Sequence, residues 1–414
     1  MHRVVITGVG VVTPVGIGVQ EFWKALQNGK NGISRITKFD PSPFKSQIAG
    51  EVKGFEPSKR LNIKEIKRND LFTLYALYTT DEAIESSGLD LESLDMDRVG
   101  VIYASGIGGE NTWEEEHTKL LKKGPGRVSP FFIPSLIINM AAGMIAMKFG
   151  FRGVNYGVVS ACSSSGHAVG EAFRKVRSGE MDIMIAGGSE APIGPLALAG
   201  FCAARSLSTR NDEPEKASRP FDKNRDGFVM SEGSGTLIFE NLEHAKKRGA
   251  TILGEIVGYG ASVDAFHITA PNETGEPQAM AMKRAMEDGN IKEEEVDYIN
   301  AHGTSTILND KVETKVIKKV FGDRAYEINI SSSKSMTGHL LGATSAVEAI
   351  VCTLSLQEGI ITPTTNYETP DEECDLNYTP NKVIKRNINV ALSNSFGFGG
   401  HNVTLAFKKY EDNK

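Results

Sequence analysis

Cysteine is scarce in this chain: four in 414 residues (Cys162, Cys202, Cys352 and Cys374), far apart and with no Cys-x-x-Cys pair. That excludes a disulfide framework and a zinc site built on paired cysteines, and it fits the reducing cytoplasm. Long apolar runs are missing as well. The most hydrophobic stretch, 134–149, is broken by Ser135, Asn139 and Lys148 and falls short of the ~20 residues a membrane-spanning helix needs. The first residues read as a strand and a turn, without the charged-then-apolar layout of a secretion signal. There is no basic excess either: Lys+Arg number 46 against 52 Asp+Glu, a formal net charge of −6. Broad nucleic-acid binding through net charge is excluded, whereas a local basic patch is not. Low-complexity segments and short repeats are absent. What remains is 40% hydrophobic and 24% charged, ordinary soluble usage that excludes a disordered or fibrous chain.

Strand-like and helix-like segments alternate, which predicts an α/β protein. Residues 98–104, 182–188, 296–301, 328–332, 389–392 and 403–407 read as strands, and 154–161 carries a further strand into Cys162. From 163 to 177 the pattern is helical, closed by Ser178-Gly179. A faint long-period echo links two units. One strand runs into Cys162 and a helix ending near Gly179; another runs through Ser333-Lys334 to His339 and a helix ending near Gly359. The reading is two duplicated halves, 1–250 and 251–414, each contributing a helix N-terminus to one site. The most loop-like stretch is 207–226, late in the first half.

Four motifs carry chemistry. In VVSACSSSGH (158–167) a thiol stands at a predicted helix N-terminus, where the dipole and free N–H groups favour thiolate; a buried structural cysteine is the alternative on these residues alone. INAHGTST (299–306) places His302 at a strand exit among hydroxyls, either as a donor to a substrate oxygen or as a satisfied loop histidine. SSSKSMTGH (331–339) offers Lys334 and His339 ahead of an apolar helix. NSFGFGGHN (394–402) alternates Gly and Phe, so that backbone approaches a ligand while a ring covers it, or simply turns a hairpin.

Taken in order, this set resembles the condensing enzymes of the thiolase superfamily, most closely the elongating β-ketoacyl-acyl-carrier-protein synthases. The resemblance runs from VVITGVG (4–10) through RPFD (219–222), RDGF (225–228) and PDEECDL (370–376) to FGFGG (396–400). It implies a thiolase-like five-layer αβαβα fold built from two duplicated halves. It also implies decarboxylative condensation of an acyl group on Cys162 with malonyl-acyl carrier protein, in fatty-acid or related polyene and polyketide elongation. By motif, His302 and His339 promote decarboxylation and Lys334 orders the site with Glu348. The N–H groups of Cys162 and Phe398 form an oxyanion hole, with Phe398 and Gly399 in the gate. Thr304 and Thr306 bind the pantetheine arm, and Asp264 and His267 belong to a loop moving with the gate. No cofactor is required, while Asn300, Glu348, Ser393 and Asn394 match a structural Na+ or K+ site.

The implied partner is acyl carrier protein and the implied assembly a homodimer, with no nucleic acid or membrane involved. Lys64, Lys67 and Arg68 recur at helical spacing on one face; alone such a run is a solvated surface, but it matches the family's carrier-docking helix, and Arg127 and Arg205 match further basic positions. Departures are Ser165, Ser231 and Ser345 where relatives usually have Gly, Ile307 for Pro and His401 for Thr. They bear on substrate range. A non-catalytic chain-length partner, the active half of a heterodimer and a degradative thiolase are the competing readings. Thiolases use a second cysteine as base, for which no motif exists here.

Overall fold

The computed structural model describes residues 1–412. Its first half carries strands β1 (Val4–Thr13), β2 (Val99–Ala104), β3 (Asn155–Val158), β4 (Ile183–Glu190) and β5 (Gly233–Asn241). The second carries β6 (Gly254–Val263), β7 (Tyr298–Asn300), β8 (Asn329–Ser331), β9 (Val390–Gly397) and β10 (His401–Lys408). Spatial order is β3-β2-β4-β5-β1 in one half and β8-β7-β9-β10-β6 in the other. Counted within each half, both read third-second-fourth-fifth-first, with the same mix of parallel and antiparallel neighbours. The echo in the sequence is therefore a complete duplication. The halves join where Val4–Ile6 of β1 pairs antiparallel with Gly254–Ile256 of β6.

The principal helices are α1 (Ile63–Arg68), α2 (Leu71–Ser87), α3 (Met140–Phe149), α4 (Ser164–Arg177), α5 (Glu276–Asp288), α6 (Ile307–Phe321), α7 (Lys334–Thr337) and α8 (Thr344–Glu358). Helices α4 and α8 lie between the two sheet halves, α2 and α3 cover one outer face, and α5 and α6 the other. This is the five-layer arrangement. Side-chain alternation builds it: Ile102, Met184 and Leu237 face the central helices, while Val101, Ile185 and Ile238 face α2 and α3. Most strands are covered on both faces, which is why they read as apolar runs; β3 at the sheet edge, with Asn155 and Tyr156 exposed, is the exception. Glycine sets the closest approaches in matched places. A Cβ on Gly10 would fall 2.0 Å from the Thr79 carbonyl oxygen of α2, and one on Gly260 2.0 Å from that of Ala281 on α5.

Two expectations need correction. The stretch 207–226 is irregular as expected, yet much of it is interior. Arg219 pairs with Asp222 at 3.0 Å, and Phe221 stacks on Tyr378 with ring centroids 4.0 Å apart. The last strand pair is also longer than the apolar runs indicate: β9 continues through Ser393, Asn394 and Phe396, so the Gly-Phe motif lies partly in a strand and partly in the hairpin turn. No helix among the described residues is long and apolar enough to cross a membrane.

Candidate active site

Strand β3 ends at Val158, and the chain enters α4 through a single 3-10 turn, Ala161–Ser163. Ala161 adopts φ 51°, a left-handed conformation that costs a non-glycine residue about 1 kcal/mol and persists because its neighbours enforce it. That bend puts Cys162 at the head of the central helix. The second half repeats it, with Leu341 at φ 46° opening the turn before α8. In this register the counterpart of Cys162 is Gly342, three residues beyond His339.

The duplication brings the predicted residues together. His339 Nε2 stands 3.1 Å from Cys162 Sγ, and Nδ1 is 3.0 Å from Thr344 Oγ1 at the start of α8. His302 crosses His339 edge to face, with ring centroids 5.6 Å apart. One atom from each of Cys162, His302 and His339 fits within a 4.8 Å spread. Such a spacing also suits a metal, but the neighbouring Lys334 ammonium opposes a second cation there. Lys334 Nζ is 2.6 Å from Glu348 Oε1, both side chains 1% exposed.

Burial governs protonation here. It pushes the Cys162 thiol up to about 11, against the lowering effect of the Phe398 N–H, Lys334 and its own N–H. The thiolate expected from the helix end alone is thus outweighed by burial, and His339 Nε2 is the ring nitrogen placed beside the protonated thiol. Burial, reinforced by Lys334, holds both histidines well below the ordinary 6.5, so they are neutral. Burial likewise lifts Glu348 above the usual carboxylate range, with Lys334 opposing. Lys334→Ala strands that carboxylate, so a stability loss of roughly 3–5 kcal/mol is expected. Thermal denaturation checks this, and adding Glu348→Gln should recover part of the loss.

The hairpin turn Phe398–Gly400 covers the cysteine. Gly399 N–H donates to the Ile268 carbonyl (2.8 Å) and Asp264 N–H to that of Gly400 (2.9 Å), tying the turn to the 264–268 loop. Buried Asp264 accepts from Asn402 Nδ2 (2.7 Å), Gln278 Nε2 (3.0 Å) and Asn272 N–H (2.9 Å). Gly400 has φ 73°, and a Cβ there would fall 2.5 Å from that of Asp264. A cavity of about 400 Å³ opens from Cys162, His302 and His339 past Phe398, Asp264, Thr304, Thr306 and Arg205. Thr304 and Thr306 hydroxyls are 2.9 Å apart. His267 is not on the cavity wall; it is exposed and accepts N–H groups of Thr269 and Ala270 within its own loop.

Lys64, Lys67 and Arg68 are exposed on α1, away from the cavity wall. The helix is fixed by a capping box between Asn62 and Glu65, and Arg68 lies 5.1 Å above the Phe131 ring. Arg127 is exposed and also off the wall. At the positions expected to hold a cation, Asn300 Oδ1 and Glu348 Oε2 are buried without hydrogen-bond partners, and Ser393 is buried near them. The Asn394 side chain is already committed, donating to Glu313 (3.2 Å) and accepting from Thr404 (2.9 Å). Among the departures, Ile307 lines the cavity and His401 packs against Gly399. Ser165 and Ser345 are buried off its wall, and Ser231 bonds to the Gly50 and Thr337 carbonyls.

Sequence reasoning missed Glu313 and Asp310. Buried Glu313 accepts the N–H groups of His302 (2.8 Å) and Gly303 (2.7 Å), and burial pushes it up to about 7. Asp310 accepts the Phe221 N–H (2.8 Å) and is 3.5 Å from Arg225. Their i, i+3 spacing on α6, directly after the His302 motif, was the available signal: it turns both carboxylates back onto that loop.

The sequence profile for the β-ketoacyl synthase N-terminal domain matches residues 1–245, and that for the C-terminal domain matches 253–368. A Synechocystis relative, 3-oxoacyl-[acyl-carrier-protein] synthase 2, is 51% identical over 99% of this chain and 98% of its own. The Coxiella burnetii protein of the same name is 49% identical, over 99% of each chain. Among solved structures, a type II polyketide ketosynthase in complex with its acyl-carrier protein superposes with TM-score 0.93 at 36% identity, covering 99% of this chain and all of that one. A β-ketoacyl synthase from Burkholderia phymatum gives TM-score 0.93 at 34% identity over 99% and 100%. The duplicated fold, the Cys-His-His cluster and full-length identity to several such proteins agree: this chain belongs to the β-ketoacyl synthase family.

Proposed function

We propose that this chain is an elongating acyltransferase of that family. It moves an acyl group from acyl carrier protein to Cys162 and condenses it with malonyl-acyl carrier protein, releasing CO2 and giving 3-oxoacyl-acyl carrier protein. The observation that carries the reading is the 3.1 Å pairing of a half-buried thiol with a neutral imidazole, beside a second neutral imidazole, all three lining one cavity.

In the first half-reaction Cys162 sulfur attacks the thioester carbonyl while its proton passes to His339 Nε2. The Cys162 and Phe398 N–H groups stabilise the oxyanion. The carrier's thiolate leaves and takes the proton back from His339, leaving an acyl thioester on Cys162. In the second, malonyl thioester loses CO2, and the electron pair of that bond becomes an enolate whose oxygen accepts from the N–H groups of His302 and His339. The Thr344 hydroxyl, as donor or acceptor, serves either tautomer of His339. The enolate carbon then forms a bond to the acyl carbonyl and the Cys162–acyl bond breaks, its electron pair returning to the sulfur, which takes up a proton from solvent to restore the thiol. Lys334 acts through charge, keeping both histidines neutral. Offering a panel of acyl carriers with malonyl carrier tests the assignment: 3-oxoacyl carrier must appear, and the preferred donor sets the chain length.

The orphaned Asn300 and Glu348 oxygens suit a monovalent cation, Na+ or K+, held there with main-chain help from Ser393 and Asn394. It would serve to neutralise buried oxygen charge behind Lys334. A homodimer fits β3, an edge strand with Tyr156 (36%) exposed on it and Val159 (55%) exposed just past its end. Four free thiols suit the cytoplasm.

For a chain of net charge −6, docking an acidic carrier needs a local basic surface, which Lys64, Lys67 and Arg68, with Arg127 and Arg205, supply. Lys64→Glu with Lys67→Glu should raise KM for carrier-bound substrate about ten-fold, chiefly through slower association. Simple pantetheine thioesters should be unaffected. Equal losses on both substrate types would assign the helix to folding instead.

A further inference from the structure

Two of the departures occupy matched places in the duplicated halves. Ser165 is the second residue of α4 and Ser345 the second of α8, each four residues past a left-handed residue, Ala161 or Leu341. The Ser165 hydroxyl accepts the N–H of Ala346 at 3.0 Å. In return the Ser345 hydroxyl donates to the Cys162 carbonyl at 3.3 Å, where Ser395 also donates at 3.0 Å. Each serine thus reaches across the boundary between halves, Ser165 to the first turn of α8 and Ser345 to the 3-10 turn that leads into α4. Space for them is provided by glycine. A Cβ on Gly188 would fall 2.6 Å from Ser165 Cβ, and one on Gly166 3.2 Å from Ser345 Oγ. With relative exposures of 0% and 2%, and neither on the cavity wall, the two side chains do not meet substrate.

We infer that Ser165 and Ser345 are positioning residues for acyl transfer, a reciprocal pair of hydrogen bonds that sets the register of Cys162 against His339. The proposal rests on Cys162 being the acylated residue. Cys162 follows the left-handed Ala161, so its placement depends on contacts made by its neighbours. His339 is oriented by Thr344, the residue immediately before Ser345. A bond from Ser345 to the Cys162 carbonyl and one from the Ala346 N–H to Ser165 therefore connect the nucleophile's turn to the turn that aims its base. A shift of a few tenths of an ångström between the two helix ends changes the 3.1 Å Sγ–Nε2 distance on which proton transfer depends.

Ser165→Ala and Ser345→Ala delete the hydroxyls without harming helix propensity. Intact-protein mass spectrometry on a quenched-flow time course with acyl carrier protein reads the Cys162 acylation rate directly. We expect each variant to acylate about five-fold more slowly than wild type, the effect of one lost hydrogen bond, with KM unchanged. The double variant should lose less than the product of the singles, because either deletion frees the same register. Acylation at the wild-type rate in both single variants, or a loss expressed entirely in KM, would overturn the proposal. Failure of wild type itself to acylate would overturn the functional reading, and this proposal with it.

Discussion

Cys162→Ala should abolish condensation, lowering it by at least about 10⁴-fold, and no acyl adduct should form on the protein. The expectation follows from position. Cys374 and Cys352 are buried elsewhere and Cys202 is off the cavity wall, so no other described thiol reaches the histidines. The alanine occupies less space than cysteine at the same helix head, and the fold is maintained by the two helices behind it. His302 and His339 remain, so malonyl-carrier decarboxylation should survive in the variant even though condensation does not. The two half-reactions then separate: loss of acyl transfer with retained CO2 release. A covalent acyl adduct on Cys162→Ala, seen by intact mass, would show that the nucleophile is elsewhere.

His302→Ala and His339→Ala should each slow malonyl decarboxylation by about 10²–10³-fold, the usual consequence of removing one donor from a developing oxyanion. They should differ in the other half-reaction. His339 touches Cys162 at 3.1 Å, so its loss also slows acylation, whereas His302→Ala should still load acyl groups. The pH dependence has a definite sign. Both imidazoles are held well below 6.5, so each keeps its neutral form as pH falls through the range where an ordinary histidine becomes charged. Decarboxylation should accordingly stay level on descending through pH 6.5. Stability should not: below 6.5 the unfolded chain binds protons that the folded chain refuses, and stability declines as pH falls. Wild-type decarboxylation rates in both alanine variants would remove the pair from the mechanism.

The sequence was most informative where chemistry and local structure coincide. Cys162, His302, Lys334 and His339 each stand at a strand-to-helix or strand-to-loop transition, and small residues around them mark the turn. Their convergence was legible only as a weak spacing coincidence, because the agreement of two sheet orders is a property of long-range pairing. The paired glycines Gly10 and Gly260 were visible as residues, but not as the points where α2 and α5 touch the sheet. Protonation was the clearest limit. Helix-end position argues for a thiolate at Cys162, and only the surrounding packing reveals that desolvation outweighs it. Glu313 and Asp310 were missed because a carboxylate in a charged helix looks solvated until the loop folds back over it. Ser165 and Ser345 pointed to substrate range, whereas their bonds lie behind the nucleophile and not on the cavity wall.

The most direct test of the central claim is a single-turnover chase. The protein is loaded with an acyl group from acyl carrier protein, freed of excess donor, digested and mapped; the acyl mass should reside on the peptide containing Cys162. A second portion is mixed with malonyl carrier. The adduct should then disappear at the rate at which 3-oxoacyl carrier appears, with one CO2 released for each acyl group lost. An adduct on any other residue, or an adduct on Cys162 that malonyl carrier does not discharge into product, would contradict the account.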